Sequence, residues 1–170
     1  MTIAQFAHTV SAQLTAFLFV VLATAPVQAN LLGTEWTMTS DEVIGIDPEI
    51  TSVEEVSSTK DGRILKLQRD VALDTEYVFT AYYYFRETDD LLDLIVLELR
   101  DGSPSGLYDL YNQAVGPGEV ETDRQLIRNK LVHKVRFIDE SNNNKITYDL
   151  RGDECKLIFK PYVRGVVIPP

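Results

Sequence analysis

The chain has little with which to do redox, metal or nucleophile–base chemistry. Of its 170 residues one is a cysteine, Cys155, and two are histidines, His8 and His133. A single thiol forms no intramolecular disulfide, so the fold must be held by its core. Zinc needs several Cys or His ligands, and the sequence does not supply them. A Ser-His-Asp triad would have to use His133 as its base. That histidine sits on the alternation Leu131, His133, Val135, Phe137 and reads as an ordinary strand residue. Gly102-Ser-Pro-Ser-Gly106 imitates a nucleophile elbow but carries Pro104 at its centre, so the pattern fails. Cys155 alternates inward with Leu157 and Phe159, away from the exposure and cation that a reactive thiolate wants. The expectation is a non-enzyme without cofactors. A hydrolase built on two carboxylates is the remaining enzymatic alternative, and nothing singles out a pair among the 26 acidic residues.

Charge is missing from the start of the chain, and long apolar runs are missing everywhere. Residues 1–29 contain no Asp, Glu, Lys or Arg, and their apolar stretch, residues 14–25, is 12 residues long. That suits a signal-peptide core and falls short of the roughly 20 residues of a membrane-spanning helix. Pro26 breaks the helix, and Val27-Gln28-Ala29 offers the small residues of a cleavage site. A secretion signal ending at Ala29 is therefore expected, although its n-region lacks Lys and Arg. An uncleaved amphipathic helix or short anchor is the alternative. The mature chain is then not membrane-spanning, and its location is periplasmic or secreted. Its 141 residues (170 less 29) suffice for one domain, 30–170, divisible into halves 30–102 and 103–165.

Basic residues are scarce too, with 16 against 26 acids and a net charge of −10. Residues 30–123 hold 21 acids and 6 bases, whereas 124–170 hold 5 acids and 10 bases, or −15 followed by +5. Nucleic acid is an improbable partner for such a chain. The halves either neutralise each other side by side or leave a one-signed patch that steers a partner.

What is present is regular. Thr39-Ser-Asp-Glu42 is a capping box, opening a short helix that stops before Asp47-Pro48. Residues 49–60 read as a loop or weak strand, and a strand follows Asp61-Gly62 with Ile64, Leu65 and Leu67. In residues 76–86, Tyr77, Phe79, Ala81, Tyr83 and Phe85 fall on one face and Val78, Thr80, Tyr82 and Tyr84 on the other. A polar turn leads into a strand over 91–99. Ser103 and Pro104 then start a helix with a stripe of Leu107, Leu110, Tyr111 and Ala114, ended by Gly116 and Pro117. Three strands follow: 131–139, one carrying Ile146, Tyr148 and Leu150, and one carrying Cys155, Leu157 and Phe159. The Pro170 end reads as a tail, with edge packing of Val166-Val-Ile168 as the alternative. The expected fold class is α+β: an antiparallel sheet of about six strands with two helices on one face, in the order helix, three strands, helix, three strands.

Gly33-Thr-Glu-Trp-Thr-Met-Thr-Ser-Asp-Glu-Val43 resembles the opening of small exported bacterial modules of the β-lactamase-inhibitor type, which include a small outer-membrane assembly lipoprotein. The Tyr108–Tyr111 helix, its Gly116-Pro117 exit and the strand ending Phe137-Ile-Asp139 fit the same plan. The resemblance implies an extracytoplasmic protein-binding module, usually without catalysis. The chain departs from the lipoproteins in having Asn30, not cysteine, after Ala29.

Two surfaces remain as candidate sites. Tyr82 and Tyr84 would form an aromatic strip if the helices cover only one face, and tyrosine suits recognition because it joins a large apolar area to a polar tip. Lys134 and Arg136, with Arg151, Lys156 and Lys160, fall on an outward alternation and would make a basic face. The expected partner is another extracytoplasmic protein. A small ligand or calcium is the alternative, with Asp89, Asp90 and Asp93 at a hairpin tip, or Asp139 with Ser141 and Asn143, supplying oxygens.

Overall fold

The computed structural model describes residues 32–73 and 76–162. They form α1 (Ser40–Ile46), β1 (Thr51–Ser58), β2 (Arg63–Leu73), β3 (Tyr77–Arg86), β4 (Leu92–Asp101), α2 (Pro104–Ala114), β5 (Glu119–Ile127), β6 (Lys130–Asp139), β7 (Asn144–Arg151) and β8 (Glu154–Pro161). The strands make one antiparallel sheet, ordered β1-β2-β3-β4-β8-β7-β6-β5. Each half is thus a helix followed by a four-strand meander. The last strands of the two meanders, β4 and β8, pair at the centre from Ile95↔Phe159 to Glu98↔Lys156. The expected signal segment 1–29 and the edge packing of 166–168 lie outside the described residues.

This corrects the expected architecture. The chain is mostly β, with eight strands instead of about six, and runs helix, four strands, helix, four strands. The two additional strands, β1, expected only as a loop or weak strand, and β5, not foreseen, are the edges of the sheet. Seven of the eight β1 positions and eight of the nine β5 positions are exposed. A strand wet on both faces has no need of an alternating apolar side, so the period-two signal that marks its neighbours is absent. Residues 49–60 therefore read as no more than a loop or weak strand, and residues 119–130 were given no element.

The buried face follows from alternation in the interior strands. Phe79, Tyr83 and Phe85 of β3, Val135 and Phe137 of β6, Tyr148 of β7, and Cys155, Leu157 and Phe159 of β8 form one apolar cluster, which Val43 of α1 and Leu107 of α2 join. The capping box forms as drawn from sequence: the Glu42 carboxylate accepts from the Thr39 backbone N–H at 2.8 Å, and the Thr39 hydroxyl caps α1. α2 is rotated relative to its expected stripe. Leu107 is fully buried and Tyr108, Tyr111 and Val115 pack on the core, while Leu110 is 42% exposed and Ala114 faces solvent. Tyr108 packs tilted or edge-on against His133, Phe137 and Tyr148 at ring separations of 5.3–6.1 Å, so rings, rather than the Leu110 side chain, take the positions over the second half of the sheet. Gly118 lets the crossover pass close beneath β6, because a Cβ there would lie 2.5 Å from Val135 and 2.7 Å from Phe137.

The segment ahead of α1 ties the halves together. Trp36 Nε1 donates to the Asn144 side chain on β7 at 3.1 Å, and the Leu92 N–H on β4 donates to the Met38 carbonyl at 2.8 Å.

Candidate functional site

The helices leave the other face of the sheet uncovered, and strand register decides what it presents. Across its middle, Gln68, Tyr82, Val96, Ile158, Thr147, Arg136 and Glu119 stand side by side, one from each of seven strands from β2 to β5. Tyr82 and Arg136, chosen separately from sequence, therefore lie on one row. Four inter-strand steps separate them, or about 19 Å at the usual strand spacing. The centre of the row, Val96 and Ile158, is half-buried and apolar.

A second row runs beside it: Asp70, Thr80, Glu98, Lys156, Asp149, Lys134 and Thr122. From Glu98 to Lys134 the charges alternate in sign, so this row neutralises itself. On the opposite side of the middle row, Tyr84 stands between Leu65 and Leu94, and Lys145 stands directly opposite Lys160. Burial, with smaller contributions from Tyr82 and Glu98, raises the Tyr84 hydroxyl above the ordinary tyrosine range. Leu94 is 8% exposed yet lies outside the core cluster, consistent with a small apolar patch on this face beside Tyr84.

Over β2–β4 the open face hollows into a groove of about 740 Å³, lined by Gln68, Asp70, Val78, Thr80, Tyr82 and Arg100, with Glu49 and Thr51 at its β1 rim. Arg100 organises it. Its Nε donates to Thr80 Oγ1 at 3.0 Å and its Nη2 to the Tyr82 hydroxyl at 3.1 Å, while Nη1 lies 3.3 Å from Glu98. The Thr80 hydroxyl passes the link on by donating to Asp70 at 2.9 Å. Tyr82 is thus held by a hydrogen bond to its tip as well as by its neighbours. Sequence reasoning placed Thr80 on this face without giving it a role, and missed Asp70 and Arg100. The signal that could have found them is the alternation of Val96, Glu98 and Arg100, read across the hairpin from Tyr82.

The expected basic face is not free. Lys134 lies 2.8 Å from Glu121, and Arg136 contacts Glu119 at 3.1 Å and also pairs with Glu121. The hydrogen bond from Lys134 is the first cause that holds the Glu121 carboxyl below its ordinary range, and Arg136 adds to it. Both acids belong to β5, the edge strand that was not foreseen. Lys156 reaches Glu98 at 3.5 Å and Arg151 holds Asp149 at 2.9 Å. The unpaired cations on this face, among the described residues, include Lys145 and Lys160 and, at the start of β6, Lys130.

The carboxylates considered for calcium are engaged elsewhere. Asp89 pairs with Arg86 at 2.7 Å, Asp90 with Lys66 at 2.7 Å and the Ser40 hydroxyl at 2.6 Å, and Asp93 with Arg63 at 2.5 Å. Burial alone would raise Asp90, but the Lys66 and Ser40 hydrogen bonds outweigh it and hold the carboxyl below its ordinary range. Asp139 accepts from Ser141 at 2.6 Å and from the Asn142 side chain at 2.7 Å, closing its own turn. Among the described residues, no three His, Cys, Asp or Glu side chains converge on a point.

On the covered face, His133 is 5% exposed between the rings of Tyr108 and Tyr148, and burial lowers its pKa, with Arg124 adding to the effect and Asp123 opposing it. Burial pushes the Cys155 thiol up to about 11, which keeps it a thiol. No protein-family model matches the chain, no curated protein matches it, and no solved structure matches it.

Proposed function

We propose that the protein is a non-enzymatic binding module that works outside the cytoplasm and engages another protein through the open face of its sheet. The observation that carries this reading is the middle row. Tyr82, Val96 and Ile158 are half-buried, largely apolar side chains on a face that no helix covers among the described residues, while the same strands bury a complete core on the other side. An apolar centre rimmed by polar and charged residues is the anatomy of a recognition surface.

The partner's chemistry follows from the same face. Tyr82 and Tyr84, with half-buried Val96 and Ile158, call for apolar side chains. Lys145 and Lys160 stand opposite each other without a counter-ion among the described residues, an arrangement that is destabilising in a lone sheet and is relieved by a partner's carboxylate. Lys134 and Arg136 belong to the surface, but Glu119 and Glu121 already neutralise them, so they contribute less than their sequence position suggests. Self-neutralising rows do not make the basic stripe that nucleic acid requires. The alternative of a small ligand has the groove at Arg100 in its favour. That groove is open and lined mainly by polar side chains, whereas small-molecule pockets are predominantly apolar and enclosing.

A photo-crosslinking amino acid at position 84 tests the proposal in the protein's own host, with position 110 on the helical side as control. A discrete protein adduct is expected from position 84 and not from 110, and Tyr82→Ala should suppress it. Equal adducts from both faces, or none from position 84, would refute the reading. Calorimetry with calcium and a metabolite panel should give no heat. A saturable signal there would favour the small-ligand alternative.

A further inference from the structure

The β5–β6 hairpin ends in apolar side chains that the sheet does not use. Leu126 is 75% exposed, Ile127 45% and Leu131 39%. Leu126 faces Leu131, and Ile127 faces Lys130 across the hairpin. Arg128 and Asn129 connect the strands with φ values of 51° and 63°, the left-handed pair of a two-residue turn. Asn tolerates that region, whereas an arginine adopts it at a cost, so the turn carries its cation against local preference.

Formal charge within the hairpin from residue 124 onward is of one sign. Residues 124–138 contain five cations and no acid. Lys134 and Arg136 are used by Glu121 and Glu119. Arg124, Arg128 and Lys130, next to the exposed aliphatics, make no ion pair among the described residues. Acids near the hairpin include Asp123, Asp153 in the β7–β8 turn and Glu154 at the start of β8, the turn being tied to the hairpin where the Gly152 N–H donates to the Leu131 carbonyl at 2.7 Å.

We propose that this tip docks on an anionic lipid surface, with Leu126 and Ile127 entering the headgroup boundary and Arg124, Arg128 and Lys130 meeting the lipid phosphates. The chain as a whole is acidic, so attraction to such a surface must be local, and the tip is where it is concentrated. A bilayer fits better than a protein partner or a second copy of the chain. Three aliphatic side chains on a protruding hairpin bury far less than the roughly 800 Å² per partner of a stable protein interface. A membrane needs no matching concavity and adds electrostatic attraction to each cation near its surface. This surface is separate from the open-face site.

The test uses the full chain carrying Leu126→Cys, labelled with an environment-sensitive fluorophore. Cys155 is fully buried and does not compete for the label. Emission should shift to the blue with vesicles containing phosphatidylglycerol and not with phosphatidylcholine alone. The shift should reverse at about 0.5 M salt, where the Debye length is about 4 Å. A label at Val56→Cys, exposed on the opposite edge strand, should not respond, which separates docking by the tip from any lipid affinity of residues 1–29. Replacing Arg124, Arg128 and Lys130 together by Gln should lower the docked fraction at least roughly tenfold. No shift at position 126, an equal shift at position 56, an unaltered triple variant, or a shift that grows with protein concentration in the absence of lipid would each overturn the proposal.

Discussion

Tyr83 and Tyr84 are the same residue type, adjacent in sequence, and differ in which side of the sheet alternation gives them. Tyr83 is wholly enclosed in the core cluster, and burial pushes its hydroxyl up to about 12. Tyr84 lies half-buried between Leu65 and Leu94 on the face without helices. The covered face is thus a stability element, and the open face, built by the same strands, is free to be a recognition element. Substitutions that respect this division should separate the two functions.

The largest contrast lies within one helix. Leu107→Ala should cost about 2–5 kcal/mol, because it opens a cavity in a closed core. Leu110→Ala, one turn on and 42% exposed, should stay within about 0.5 kcal/mol in the same urea titration. If the two losses were similar, α2 would not be seated as described.

Two hydroxyls on the covered face give a smaller and opposite pair. Tyr148 donates to the Pro104 carbonyl at 3.1 Å, so Tyr148→Phe should lose about 0.5–1.5 kcal/mol. The Tyr83 hydroxyl is buried without a partner among the described residues, so Tyr83→Phe should be neutral or stabilising by up to about 1 kcal/mol. Thermal unfolding of both variants compares them directly.

His133 gives the covered face a pH response. Its folded-state pKa is depressed below the ordinary 6.5, first by burial and then by Arg124. The neutral ring is therefore favoured in the fold, and the unfolded chain takes up the proton first as pH falls. Stability should be constant above about pH 6.5 and decline below it, toward the depressed folded value. Denaturant midpoints measured between about pH 7.5 and 5 should show the decline in the parent and a flatter profile in His133→Phe.

The smallest effect is expected on the open face. Lys134→Ala removes an ion pair with Glu121 that is partly wet, and should cost about 0.2–1 kcal/mol. A larger loss would mean that the row is structural rather than a surface for recognition.

Where a strand is dry on one side and wet on the other, its alternation was legible in the sequence. Residues 77–86, 131–139, 144–151 and 154–161 show it, and both helix starts were marked by their caps. Of the edge strands, β1 was legible only as a loop or weak strand and β5 not at all, because neither of their faces is buried. That omission carried over to the site. Without β5 there was nothing to pair with Lys134 and Arg136, which therefore looked like a free basic face. Tyr82 and Tyr84 were read on the correct side of β3, but the Arg100–Thr80–Asp70 link beneath them depends on three strands coming into register. The stripe of α2 was misread by one position because Tyr108, a large ring with a polar tip, replaces Leu110 over His133 and Tyr148.

The division between the faces is tested most directly by urea unfolding of Tyr83→Ala and Tyr84→Ala side by side. Tyr83→Ala should lose about 3–5 kcal/mol, in the range of other buried aromatic truncations, and Tyr84→Ala no more than about 2 kcal/mol. Equal losses, or a greater one at Tyr84, would mean that both faces are core and that the open recognition surface does not exist.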